Sequence, residues 1–342
     1  MLKQRGRWKG IVCLAIVCWV PGLRAQSVGT AAPEAQLHEY LTARAANGDF
    51  SGTVAVERQS KLIYMESFGF ADFENRTPFT AHSRFEIASI TKTFTAAAIS
   101  ILLAQEKLTL DSTLDRFFPE FPRAHEITIR HLLSHGSGAG ELPPGPWILQ
   151  RHSLQQVVHE IEKQPFFFAP GKSDRYSNSG YVLLAAVIET VSGKSYNEFL
   201  QEQLFRPLGM TETGSFWPQE ITMGRVHKYQ PGPAPDLVWN VPVEDLSYSM
   251  GAGSASSTAN DLLLWLRAAR QHSLFRRPPG EYPYGWGKET YFKRAAIDQT
   301  GLHSGASAAI LTFPAEELDV VCLSNTETGF FTSCLSIRGP YR

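Results

Sequence analysis

One serine and one lysine stand three residues apart where an apolar run opens: Ser89-Ile-Thr-Lys92 in "FEIASITKTFTAAAISILL". No other lysine in the chain has a serine three residues before it. On a helix this spacing puts both side chains on one face. A serine hydroxyl is a poor nucleophile until a base takes its proton. Lysine is such a base only where burial or a nearby positive charge lowers its pKa. At a helix N-terminus Ser89 would also meet unpaired backbone N–H groups and the positive end of the dipole.

Two further stretches carry polar groups suited to the same chemistry. "DRYSNSGYVLL" places Tyr176-Ser177-Asn178 in a short polar loop ahead of a helix. A phenol there can relay protons, and Asn178 offers a donor and an acceptor to a substrate amide. "QTGLHSGASAAILTF" sets His303-Ser304-Gly305 at the start of an apolar strand. Gly305 would let substrate lie against the strand edge, and the following N–H, of Ala306, would join that of Ser89 around an oxyanion.

These residues need a frame. "APEAQLHEYLTARAANGDF" has Leu37, Tyr40, Leu41 and Ala45 at helical spacing, and "SGTVAVERQSKLIYMESFGFAD" reads as two strands around a polar turn near Arg58-Gln59-Ser60. From Leu108 to about Asn240 helical segments alternate with loops. "SLQQVVHEIEKQP" is amphipathic, "SGYVLLAAVIETVSGKSYNEFLQEQLFRPLGM" holds two helices split near Gly193, and "STANDLLLWLRAARQ" is capped by Ser257 or Thr258. Strands return in "YPYGWGKETYF", "SGASAAILTF" and "LDVVCLSN". Strands at both ends imply one antiparallel sheet built from both termini and flanked by helices, an α/β arrangement with an all-helical insertion lobe. The α/β part covers about residues 35–105 and 240–342, and the lobe about 106–239. The cleft between them is the expected site.

Taken in order, Ser89-x-x-Lys92, Tyr176-x-Asn178 and His303-Ser304-Gly305 resemble the three motifs of the penicillin-recognising serine hydrolases. That family spans class C β-lactamases, serine DD-carboxypeptidases and related esterases. "HLLSHGSGAG", "GAGSASSTANDLLLWL", "YGWG" and "VVCLSN" are similar to its supporting segments, so the likeness runs from about Phe50 to Asn325. The resemblance implies a β-lactamase/transpeptidase-like fold without cofactor or metal. It makes Ser89 the acylated nucleophile, Lys92 its activating partner, Tyr176 the proton relay and Asn178 a ligand of the substrate amide. Ser304, Gly305 and Ala306 would bind substrate along the strand. His303 would replace the lysine of most members' third motif, a form closest to DD-carboxypeptidases and esterase-like members and one that implies weak β-lactamase activity. An imidazole titrates near neutrality, so His303 is expected to give a pH–rate limb between about pH 6 and 8, a range in which a strongly lowered Lys92 would titrate as well. The implied substrates are a peptidoglycan stem peptide, a β-lactam or an ester; a catalytically weak binding or sensor protein of the same fold is the alternative.

The remaining features bound this reading. Lys3, Arg5, Arg7 and Lys9 precede an apolar run from Ile11 to Val20, then Pro21-Gly22 and small Ala25. This pattern predicts a secretory signal peptide over 1–25 and a domain over 26–342 in the periplasm or outside the cell. The run is shorter than the ~20 residues a spanning helix needs, so no stable anchor is expected after cleavage. With a net charge of −1 and no basic cluster beyond the N-terminus, the chain offers nucleic acid no electrostatic footprint. Cys322, in a buried strand, reads as an unpaired thiol rather than a partner of Cys334. His131 and His135 are spaced i, i+4 but lack the Glu of a His-Glu-x-x-His zinc helix. No Gly-x-Ser-x-Gly occurs, and "GAGSAS" lacks the third glycine of a dinucleotide loop. Trp147, Trp217, Trp239 and Trp286 fall in or near loops and read as surface packing, with lining of the cleft as the alternative. The family usually ends in a helix on the sheet, whereas "TETGFFTSCLSIRGPYR" shows no helical period; a truncated or frame-shifted end that uncovers one sheet face is expected.

Overall fold

Two runs rich in β-branched, aromatic and other apolar residues, "GTVAVER" and "KLIYMESF", build the first hairpin, β1 (Gly52–Arg58) and β2 (Lys61–Phe68). Gln59 and Ser60 close it with φ of 52° and 60°, the left-handed pair of a tight two-residue turn. The computed structural model describes residues 32–327, apart from 144, 235–236, 272–283 and 292. The basic and apolar leader, Cys334 and the C-terminal tail lie outside the described residues.

Before this hairpin comes α1 (Pro33–Ala46) and after it the short β3 (Phe85–Glu86). The lobe follows α2 (Thr91–Ala104) and contains α3 (Ile129–Leu133), α4 (Leu154–Glu162), α5 (Asn178–Ser192) and α6 (Tyr196–Leu200). A π-helical turn, Gln201–Phe205, carries α6 into α7 (Arg206–Leu208). Ser153 and Ser195 each begin a helix with a reciprocal capping box, and Gly193 ends α5 at φ 70°. The lobe is not purely helical. It holds β4 (Gly214–Ser215), β5 (Tyr229–Pro231) and β6 (Val238–Asn240), two or three residues each and too short to leave a period in sequence. The chain returns through β7 (Ala255–Ser257) and α8 (Ala259–Gln271), where Thr258 Oγ1 accepts from Asp261 N at 3.2 Å.

Four strands complete the sheet: β8 (Gly287–Tyr291), β9 (Arg294–His303), β10 (Ala306–Phe313) and β11 (Leu318–Ser324). The order β2-β1-β11-β10-β9-β8 is antiparallel throughout, and Gly52 pairs with Ser324. An early and a late segment, β1 and β11, thus meet at the centre of one sheet. On one face Val54, Val56, Leu311 and Cys322 pack with Leu37 and Leu41 of α1. On the other, Ala55, Ile310, Val321 and Leu323 join the larger core with α2, α5 and α8. Cys322 is not the free thiol expected; it is disulfide-bonded. Burial in a strand carries no information about whether a second thiol is in reach.

Candidate active site

Ser89 lies in a single 3₁₀ turn, Ala88–Ile90, wedged between β3 and α2. Ala88 is forced to φ 45°, a conformation that costs a side-chain-bearing residue roughly 1–2 kcal/mol. Its neighbours hold it there: Thr91 Oγ1 donates to Ala88 O at 2.7 Å and accepts from Ala255 N at 3.1 Å, while Ile87 N donates to Ala255 O at 3.0 Å. One turn on, Lys92 is fully buried.

Lys92 Nζ has three neighbours: Ser89 Oγ at 3.1 Å, Asn178 Oδ1 at 2.7 Å and Ala252 O at 2.7 Å. Burial lowers its pKa to about 7, against the opposing field of Glu141. Asn178 Oδ1 and Ala252 O only accept, so they take the two N–H groups of the neutral amine and its lone pair is left for Ser89. Tyr176 OH donates to Ser89 Oγ at 2.7 Å. Burial also raises the phenol pKa, so this group holds its proton at neutral pH. The nucleophile therefore sits between a base and an acid.

Tyr176 and Asn178 flank Ser177, whose hydroxyl caps α5 by accepting from Gly180 N at 3.0 Å. His135 and Glu141, which the sequence reading did not assign to the site, hold this loop. His135 Nδ1 accepts from Ser177 N at 3.1 Å, and its ring lies 4.7 Å from that of Tyr176. Burial and the nearby Lys92 charge lower its pKa to about 4, so it is a neutral acceptor. Glu141 accepts from Ser177 Oγ at 2.6 Å and Ser179 N at 3.2 Å. Its signal was hidden in a Gly/Pro-rich stretch with no period. His131 is spent locally, in a capping box with Thr128.

The third motif departs from expectation. His303 ends β9 rather than opening a strand, and pairs with Ala306 across the two-residue turn Ser304-Gly305, with Gly305 at φ 71°. Such a turn commits the Ala306 N–H to the His303 carbonyl, so it is not free for an oxyanion. Ser304 and Gly305 are turn residues, and Gly305 faces Lys228, Tyr229 and Val241. Hydrogen-bonded pairs then alternate along the hairpin: His303–Ala306, Gly301–Ala308, Gln299–Ile310. The backbone groups of Thr300 and Leu302 point to the other edge. Among the described residues no strand pairs that edge beyond Asp298, and Leu302 lines a cavity with Ser89. The Leu302 N–H is thus the strand donor available beside the nucleophile. A second triplet of similar kind, Gln299-Thr300-Gly301, lies along the Ser89 turn: Gln299 Nε2 donates to Ser89 O at 3.1 Å. At Gly301 a Cβ would fall 2.1 Å from the Ile87 carbonyl oxygen. Two triplets four residues apart were both visible; register decides between them.

His303 does reach the cleft, donating Nε2–H to Gly253 O at 2.9 Å. Burial lowers its pKa below the ordinary 6.5, so it is a neutral imidazole and not a stand-in for lysine. Ser89 and Tyr176 each line a cavity. One, of about 230 Å³, is lined by Ser89, Glu141, Asn178, Leu302 and His303. The other, of about 790 Å³, is lined by Tyr176, His135, Gln299 and Trp286. Of the tryptophans expected to pack at the surface, Trp239 is exposed while Trp217 and Trp286 are buried, the latter stacked on Trp265.

A serine held between a buried amine and a phenol, on a helix facing the edge of an antiparallel sheet, defines a serine hydrolase of the β-lactamase/transpeptidase fold. The chain matches the family described as Beta-lactamase over residues 37–334 and belongs to it. It is similar to penicillin-binding protein 4* of Bacillus subtilis, 29% identical over 81% of this chain and 68% of that protein. It is also similar to esterase EstB of Burkholderia gladioli, 29% identical over 73% of this chain and 71% of that one. Among solved structures, a penicillin binding protein from Bacillus halodurans superposes with a TM-score of 0.76 at 26% identity, covering 89% of this chain and 99% of that one.

Proposed function

We propose that this protein is an exported hydrolase that cleaves small esters or amides through an acyl-enzyme on Ser89. The observation that carries the reading is the pair of contacts on Ser89 Oγ, from Lys92 Nζ at 3.1 Å and Tyr176 OH at 2.7 Å. In the reaction, neutral Lys92 takes the Ser89 proton as Oγ bonds to the carbonyl carbon. The N–H groups of Ser89 and Leu302 receive the oxyanion. As the carbon–oxygen or carbon–nitrogen bond breaks, Tyr176 gives its proton to the leaving group and regains one from Lys92. Water then attacks the acyl ester with the same groups working in reverse, releasing the acid and Ser89. Asn178, with Oδ1 held by Lys92, keeps its amide N–H groups for the donor.

Intact-protein mass spectrometry after incubation with p-nitrophenyl acetate and, separately, a penicillin tests this. Acetyl mass on the wild type and none on Ser89→Ala is the expected result. Ester turnover retained by Ser89→Ala would refute it, and a penicilloyl adduct that persists for hours would favour a penicillin-binding sensor. Export rests on the leader segment: N-terminal sequencing that begins at or near Gln26 supports it, and an uncleaved chain in the membrane fraction overturns it.

A further inference from the structure

The smaller cavity beside Ser89 carries one sign of charge. Glu141 is the only carboxylate among the described residues that line it, and no lysine or arginine does. His303 is held neutral by burial, and burial raises the phenol of Tyr248, another wall residue, to about 12. Lys92 lies behind the wall with its amine enclosed by Ser89, Asn178 and Ala252. A donor bearing a carboxylate would find no cation among these wall residues and would meet Glu141 instead. The Glu141 carboxylate is fixed in place by Ser177 Oγ at 2.6 Å, Ser179 N at 3.2 Å and Ser179 Oγ at 3.4 Å. A carboxylate has about four acceptor sites, so these donors leave it room to receive a ligand.

We propose that this cavity selects acyl donors carrying a protonated amine near the scissile carbonyl, with Glu141 as the recognising group; the substrate class is aminoacyl esters and amides. This rests on the serine-hydrolase reading above. Glu141 also steadies the N-terminus of α5, and a purely capping role predicts equal losses for every substrate when it is changed. Recognition predicts a loss confined to the amine.

Two p-nitroanilides separate these roles at pH 7: alanine p-nitroanilide, as each enantiomer, and 2-methylpropanoic p-nitroanilide, in which a methyl replaces the ammonium. A hydrogen bond between charged groups is worth ~10–100-fold in a partly buried site. Wild type should favour at least one alanine enantiomer by about that factor in kcat/KM. In Glu141→Gln the preference should fall to within about threefold, whatever loss the two substrates share. A wild-type ratio near one, or a preference that survives Glu141→Gln, overturns the proposal. If both anilides turn over too slowly to measure, alaninamide and 2-methylpropanamide are compared as competitors of p-nitrophenyl acetate; equal inhibition overturns it too. Acetylation of Ser89 without amine preference removes this inference alone, whereas no acetylation at all removes the reading beneath it.

Discussion

The Ser89 turn and the β9–β10 hairpin border the same cavity but fix their residues by different rules. Where the 3₁₀ turn runs straight into α2, helical spacing sets which side chains share a face, so Ser89 and Lys92 must meet once the turn and the helix exist. On β9 the neighbour of a residue depends on register, and a one-residue change sends every group to the opposite edge. Helical spacing transfers directly from sequence to site. A strand motif does not.

Breaking the two regions separately should expose the difference. Gly301 is where the hairpin touches the nucleophile turn, and a Cβ there meets backbone, which cannot swing aside. Displacing catalytic atoms by about 1 Å can cost ~10²-fold, so Gly301→Ala should lower kcat/KM for p-nitrophenyl acetate by about that much. Gly305→Ala meets a left-handed φ and lies at the turn, away from the Ser89 turn. It should cost roughly 1–2 kcal/mol of stability in a denaturant titration, yet keep activity within about tenfold. Equal activity losses at both glycines would show that the turn, not the β9 edge, carries the substrate.

A smaller effect sharpens the same comparison through pH. From sequence, a limb between pH 6 and 8 could come from His303 or from a strongly lowered Lys92; burial brings Lys92 to about 7 and takes His303 below its ordinary 6.5, which favours Lys92. Activity in kcat/KM should rise with pH through that value as the amine loses its proton. Glu141 raises the Lys92 pKa, so Glu141→Gln should move the limb to lower pH. His303→Gln removes the imidazole and should leave the limb where it is; a limb that disappears would return the titration to His303.

How much could be read beforehand follows from the same physics. Ser89, Lys92, Tyr176 and Asn178 were legible because a helix face and a helix cap are local patterns, and the structure draws these four together. The first hairpin was legible from two strand-like runs around the polar turn near Arg58-Gln59-Ser60. In β9, "RAAIDQTGLH" mixes buried Asp298 with exposed Leu302, so neither its existence nor its inward edge could be seen. Glu141 and His135 sit in loops, where contacts are made by tertiary packing alone. The short strands of the lobe have too few residues to show a period.

The pairing of Gly52 with Ser324 has a consequence for how the molecule comes into being. A hairpin and a helix form quickly from neighbouring residues, whereas contacts between distant segments must first overcome the entropy of closing a long loop. β1 has no inner neighbour until residues 318–324 have been synthesised. Until then α2 can coil while the turn before it lacks the strand that Gly301 presses against it. The nucleophile is thus encoded in the first third of the chain but assembled among the last steps of folding, so a nascent or incomplete chain carries the serine without the site.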